Sequence, residues 1–182
     1  MYDILIGKNI ILRKAKENDY KSMLKNVWGN EEVYKYMLYT PTLTIEEAII
    51  RNEKSMEFQK NNFAYYIALK DSDIAIGLCA IREYDSGSYE ERGICLGTDY
   101  QGKGYGKEVI ELLLDLAFNK LNAKDFLYGY FNDNYRSKHM ASLFGFKYLK
   151  TIEIERPWDK ANKIVDLALL TREEYEKRKL VK

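Results

Sequence analysis

One stretch constrains this chain more than any other: Leu96-Gly97-Thr98-Asp99-Tyr100-Gln101-Gly102-Lys103-Gly104-Tyr105-Gly106-Lys107. A branched and aromatic segment, Tyr89–Leu96, leads into it. An apolar-periodic segment leaves it, with Val109, Leu112, Leu113, Leu116 and Ala117 on one face and Glu108, Glu111, Asp115 and Asn119 on the other. A strand therefore passes through a glycine-rich turn straight into an amphipathic helix running from Gly104 to Asn119. Glycines admit positive φ and let another molecule approach the backbone closely. The first helical turn carries N–H groups without intrahelical partners, and the positive end of the helix dipole lies behind them. Such a junction is a site for phosphate, and Lys103 and Lys107 add positive charge to it.

Three kinds of phosphate loop must be told apart. The dinucleotide pattern G-x-G-x-x-G fails, because Gly102 and Gly104 would need a third glycine where Lys107 stands. The nucleotide P-loop comes closer, with Gly97, Gly102 and Lys103 correctly spaced. Gly104 then occupies the position of the Ser or Thr that would hold Mg²⁺. The pattern [QR]-x-x-G-x-[GA] fits in full through Gln101, Gly104 and Gly106.

The rest of the chain supplies the context. Asn9–Lys14 reads as a strand. Asn18 or Asp19 can cap a helix with Tyr20, Met23, Leu24 and Val27 at helical spacing, broken by Gly29 and Asn30. Thr44 and Glu47 form a capping-box pattern, and the helix they start places Ile45, Ala48, Ile49 and Met56 on one side. Phe63–Leu69 and Ile74–Arg82 read as a hairpin about Asp71-Ser72-Asp73, and a polar loop at Ser86-Gly87-Ser88 leads to Tyr89–Leu96. Phe126–Phe131 is a strand, Asn134–Phe144 a helix ended by Gly145, and Phe146–Glu155 and Lys163–Leu170 the last strands. Thr171 and Glu174 open a charged terminal helix. This order predicts a single α+β (mixed α/β) domain over residues 1–182. Its central, mostly antiparallel sheet has about 6–7 strands flanked by about 4 helices.

Composition narrows the function. With 29 Lys+Arg against 28 Asp+Glu the net charge is +1, which argues against a dedicated nucleic-acid binder. Two cysteines build neither a disulfide framework nor a zinc cluster, and a single histidine excludes a histidine-rich metal site. No metal is expected. Met1–Leu12 contains Asp3, has no basic start and no long apolar run, and does not read as a secretory leader. No apolar run approaches the roughly 18 residues of a membrane span. The expectation is a cytoplasmic enzyme or binding domain.

On Gln101-x-x-Gly104-x-Gly106 the chain resembles the GNAT superfamily of acyl-CoA-dependent N-acyltransferases. Two further matches carry the resemblance: Asn134-x-x-Ser137 followed by Gly145-Phe146, and Glu91-x-Gly93-x-x-Leu96 before the loop. The first is similar to the subgroup that includes ribosomal-protein alanine N-acetyltransferases and spermidine acetyltransferases. The resemblance implies a V-shaped splay between the fourth and fifth of the strands read above. It implies acetyl-CoA as co-substrate and direct attack of a primary amine, on a protein N-terminus or a small molecule, on the thioester. Ile94, Cys95 and Leu96 would then run beside the pantetheine arm, with a polarising N–H near Leu96. The segment Gln101, Gly102, Lys103, Gly104, Tyr105, Gly106 and Lys107 would hold the pyrophosphate, and Asn134 would bond the arm. Members are often dimers, so a homodimer is a further expectation.

Glu91 is the candidate base, directly or through water, against an ordinary strand carboxylate beside Glu90; Glu83 and Asp85 are rivals. Many members place a tyrosine four residues before the Gly-Phe pair, and here Ala141 stands there. Ser137 resembles the serine that takes the proton-donor role in the ribosomal-protein subgroup, against a hydroxyl that merely bonds CoA. Tyr128, Tyr130 and Tyr135 are further candidates. His139 lies two residues past Ser137, about 200° around the helix, and points elsewhere. Cys79 and Cys95 read as buried small hydrophobes, with acyl transfer through Cys95 a minor alternative. The acceptor pocket draws on Trp28, Tyr34, Tyr36, Met37, Tyr39 and Trp158, most of which serve equally well as core. The competing reading is a catalytically weak acetyl-CoA-binding regulatory module, which Ala141 supports.

Overall fold

The structure, a computed structural model, describes residues 2–180. The chain forms two compact units. One holds the chain up to Arg82 together with Arg92–Leu113; the other holds Glu83–Glu91 and the chain from Leu114 onward. The fold is mixed α/β, with eight strands and six α-helices among the described residues, more of each than the sequence pattern suggests.

In the first unit, β1 (Ile4–Ile6) pairs antiparallel with β2 (Ile10–Arg13), from Ile4 opposite Arg13 to Ile6 opposite Ile11. β2 pairs with β3 (Ala64–Leu69), and β3 with β4 (Ala75–Asp85), again antiparallel. β3 is buried along Ala64–Ala68 on both faces, as its unbroken apolar run requires. α1 (Asp19–Met23) passes without a break into a π-helical turn over Leu24–Trp28, closed by Gly29 N–H donating to the Leu24 carbonyl at 3.0 Å. Asn30 does not simply end the helix: its side chain caps a further short helix, α2 (Glu31–Tyr34).

α3 (Ile45–Lys60) starts on the expected Thr44–Glu47 capping box. Its buried face, however, is Ala48, Asn52 and Gln59, while Ile45 and Ile49 are exposed. The physical reason is backbone satisfaction. Asn52 Nδ2 donates to the Lys16 and Glu17 carbonyls, and the Ala15 N–H donates to Gln59 Oε1 at 2.6 Å. Buried amides that complete a loop's hydrogen bonding displace isoleucines from the inward face. Arg13 and Asp19, both almost fully buried, form a bidentate pair at 2.7 and 2.9 Å, to which Asp73 adds a second carboxylate.

β5 (Ser88–Leu96) follows β4 across Ser86-Gly87, where Gly87 has φ +76°. Both strands run from one unit into the other. In the second unit, β6 (Asp125–Phe131) pairs antiparallel with β8 (Asn162–Thr171) from Asp125 opposite Thr171 to Phe131 opposite Val165. β8 in turn pairs with β7 (Lys147–Glu155). The parallel ladder of β5 on β6 covers Ser88–Glu90 and Asp125–Leu127, so it engages only the first residues of each strand. α5 (Tyr135–Leu143) follows β6 and ends on Gly145 at φ +76°; α6 (Arg172–Leu180) follows β8. α4 (Tyr105–Asp115) continues as a π-helical turn over Leu116–Lys120.

Candidate active site

The loop after β5 is fastened by its own hydrogen bonds. Gly97 N–H donates to the Ile76 carbonyl at 2.8 Å, Tyr100 N–H to Gly97 and Gln101 N–H to Thr98. Gln101 Nε2 donates to the Leu96 carbonyl at 2.8 Å, so Gln101 ties the loop to the strand it leaves. With its backbone N–H already engaged, Gln101 is a fastener, and the donors of the loop begin one residue later. Among the described residues, the backbone N–H groups of Gly102, Lys103, Gly104, Tyr105, Gly106 and Lys107 have no acceptor; the first helical bond is Glu108 N–H to the Gly104 carbonyl. Gly102 and Gly104 have φ +74° and +84°, and no protein atom lies within 4 Å of where a Cβ would stand at either. Lys103 and Lys107 are exposed, and the Lys103 ammonium sits 5.7 Å from the Tyr100 ring centroid. A run of unpaired amides, open space beside two left-handed glycines and two lysines is what a polyanionic pyrophosphate requires.

The same unit gathers a cluster around Cys95, which is buried with Met23, Val27, Trp28 and Tyr66. Trp28 is 1% exposed, edge-on to Tyr66 at 6.0 Å, so it serves the core more than an open pocket. Tyr34, Met37 and Tyr39 are half-buried. A Cβ on Gly93 would stand 3.2 Å from Met37 Cε, which puts Met37 against β5. Burial pushes the Tyr39 hydroxyl pKa far up, with Cys95 as a polar neighbour; that hydroxyl donates to the Val27 carbonyl at 3.3 Å. Arg51 of α3 stacks on two of these rings, its Cζ 4.4 Å from the Tyr39 centroid and 5.1 Å from that of Trp28. Arg51 was not singled out in the sequence, since an arginine among Glu46, Glu47 and Glu53 reads as surface. Its one legible signal is helical phase: it adjoins the buried Asn52 and lies three residues past Ala48.

In the second unit the Glu91 charge and the Ser137 hydroxyl both act on the Tyr128 hydroxyl. Tyr128 is 5% exposed, and burial pushes its pKa up; the Glu91 charge adds to the rise and the Ser137 hydroxyl opposes it. Glu91 and Ser137 are half-buried, whereas Glu83, Asp85 and His139 are exposed. Asn134 caps α5, its Oδ1 accepting from Ser137 N–H at 3.2 Å, which leaves its amide N–H₂ to donate elsewhere. Ala141 is buried and offers no hydroxyl. Trp158 is half-buried with the Arg156 guanidinium 4.2 Å from its ring centroid, and Arg156 is itself paired with Asp159. Cys79 and Cys95 are both buried free thiols.

Residues 9–147 match the family described as Acetyltransferase (GNAT) domain, a match that runs through both units. The chain belongs to the GNAT acetyltransferase family. A relative from Bacillus licheniformis, named "Uncharacterized N-acetyltransferase p20", is 34% identical over 125 residues, covering 66% of this chain and 68% of that protein. A GNAT-family acetyltransferase structure from Bacillus anthracis superposes with a TM-score of 0.80 at 17% identity, covering 94% of this chain and 99% of its own. The microcin C7 self-immunity acetyltransferase MccE, solved with acetyl-CoA and AMP, superposes with a TM-score of 0.76 at 18% identity, covering 90% and 93%. The protein is thus a GNAT acetyltransferase by sequence family and by fold. Among its described residues no helix is long and apolar enough to cross a membrane, and no group of three His, Cys, Asp or Glu side chains is placed to hold a metal ion.

Proposed function

We propose that this GNAT protein is an N-acetyltransferase that transfers acetyl from acetyl-CoA to a primary amine by direct attack on the thioester. The observation that carries the reading is the set of six unpaired backbone amides from Gly102 to Lys107 beside two open, left-handed glycines. Those amides hold the pyrophosphate, with Lys103 and Lys107 as counter-charge. Each exposed charge at the helix end contributes about 0.3–1 kcal/mol, so the contacts act as a set. Ile94, Cys95 and Leu96 line the pantetheine arm, and the Asn134 amide N–H₂ donates to it. A backbone N–H near Leu96 polarises the thioester carbonyl; Gly97 N–H is engaged with Ile76 and is not that donor.

Acetyl-CoA supplies the acetyl group in an activated thioester. The chain's own residues manage protons. An α-amino acceptor, with an ordinary pKa of about 7.7–8.0, is partly neutral at pH 7, whereas a lysine-like amine near 10.4 is not. Glu91 accepts the ammonium proton, and Ser137, beside Tyr128, donates a hydrogen bond to the leaving thiolate in the place Ala141 vacates. The family match through both units supports one catalytic domain, and the resemblance to a family whose members are often dimers supports a homodimer, with the cytoplasm as its compartment.

The test is CoA-thiol release from acetyl-CoA over a panel of peptides with free N-termini, polyamines and aromatic amines. Release with at least one amine class is expected. Tight acetyl-CoA binding with no release for any amine would instead identify a regulatory module.

A further inference from the structure

We infer that Arg51 selects acceptors carrying an anionic group, a carboxylate or phosphate set apart from the reacting amine. The inference rests on the acetyltransferase reading and deepens it. Arg51 is half-buried on α3 and pairs with no carboxylate among the described residues. Glu47, one turn earlier, faces the helix start and accepts from the Leu43 and Thr44 N–H groups. A guanidinium removed from water without a counter-charge is costly, and proteins place one there for a purpose. Burial lowers the Arg51 pKa in keeping with this, while the group stays charged at any working pH.

The geometry fixes which donors remain. Arg51 Nη1 carries two N–H groups, and both are used, on the Thr40 carbonyl at 2.7 Å and on Thr42 Oγ1 at 2.7 Å. The stacking on Tyr39 and Trp28 holds the guanidinium plane. Nε–H and the Nη2 amino group are left, the two parallel donors that grip a carboxylate or phosphate side-on. They reach solvent, because Trp28 Nε1 is the one fully buried side-chain nitrogen or oxygen without a partner among the described residues. That indole N–H shows that this neighbourhood is short of acceptors rather than donors: the Tyr39 and Tyr66 hydroxyls also donate, to Val27 and Asn52. An incoming anion supplies what is missing. Arg51 stacks on Trp28 and Tyr39, which pack in one cluster with Cys95 of the strand assigned to the pantetheine arm, so the fork belongs to the acceptor's surroundings. A polycation is disfavoured there.

The test uses ω-amino carboxylic acids of increasing length and their matched primary amides, with spermidine as a cationic control. Wild-type kcat/KM is expected to favour the best acid over its amide by about tenfold or more, the size of a charge-assisted hydrogen-bonded pair. Arg51→Gln brings that ratio to about one by raising the acid's KM, with kcat and the acetyl-CoA KM little changed. Arg51→Lys, which keeps the charge and loses the fork, falls between. Equal wild-type rates for acid and amide, or an unchanged ratio in a folded Arg51→Gln protein, would overturn the inference. If no amine releases CoA, the acetyltransferase reading fails, and Arg51 is decided separately by fluorescence. In a Trp158→Phe background Trp28 is the remaining tryptophan. Saturable quenching by the acid and not the amide, lost with Arg51→Lys, supports the site; identical responses refute it, including when Arg51→Gln does not fold.

Discussion

Gly104→Ala separates what the loop costs the fold from what it gives the cofactor. Gly104 has φ +84° with no protein atom within 4 Å of a Cβ, so the new methyl meets no protein atom. The cost in the free protein is the left-handed backbone alone, about 1–2 kcal/mol. For a chain of this length that lowers the Tm by roughly 2–8 °C. Gly145→Ala is a matched control: φ +76°, equally open, at the C-terminal end of α5. Both variants should therefore melt lower by a similar amount. On the proposed placement, only Gly104→Ala puts a methyl where the pyrophosphate approaches the amides. Loss of a single charge-assisted hydrogen bond, about 1.5–3 kcal/mol, weakens CoA binding by about tenfold to a hundredfold. Scanning fluorimetry and calorimetric titration with CoA measure the two effects independently. CoA binding at wild-type strength in folded Gly104→Ala, or an equal loss in Gly145→Ala, would refute this placement of the pyrophosphate.

Three further outcomes are expected. Glu91→Gln should lower kcat by about a hundredfold or more, the usual range for a general base, while acetyl-CoA affinity holds; near-normal turnover would remove Glu91 from the chemistry. Asp19→Ala leaves the buried Arg13 guanidinium with Asp73 as its remaining carboxylate and should destabilise the fold toward the lower end of about 3–5 kcal/mol in urea unfolding. The hydrogen bond from Lys147, with those of Thr171 N–H and Oγ1, holds the Glu174 pKa down at about 2. A depressed folded pKa contributes stability that is complete above the unfolded value of about 4.3 and is lost as pH falls toward 2. The Tm of Glu174→Gln should accordingly depend less on pH across that window than that of the wild type.

Much of this fold was legible because its signals are local. The Thr44–Glu47 capping box, the β3 apolar run and the glycine after α5 are each decided within a few residues. What escaped depends on partners distant in sequence. Ile4–Ile6 is too short to announce itself and exists as a strand by pairing with β2. The inward turn of Asn52 and Gln59 is set by unsatisfied carbonyls and amides at Ala15–Glu17, which periodicity in α3 cannot reveal. The site divides in the same way. The cradle from Gly102 to Lys107 is written as a motif, while Arg51 gains its meaning from rings and hydroxyls supplied by Trp28, Tyr39 and Thr42. Glu91 and Ser137 carried motif signals, but their shared influence on Tyr128 needed the folded second unit.

The way the loop after β5 is tied down bears on how its sequence is free to drift. Gln101 and the turn at Thr98–Tyr100 do the fastening, and main-chain atoms form the surface proposed to face the pyrophosphate. Positions 103, 105 and 107 therefore share in the cradle through atoms that every residue except proline possesses. A deep substitution scan should find those three positions permissive to many side chains and closed to proline. Positions 101, 102 and 104 should be narrow, the first held by its amide and the other two by their backbone angles.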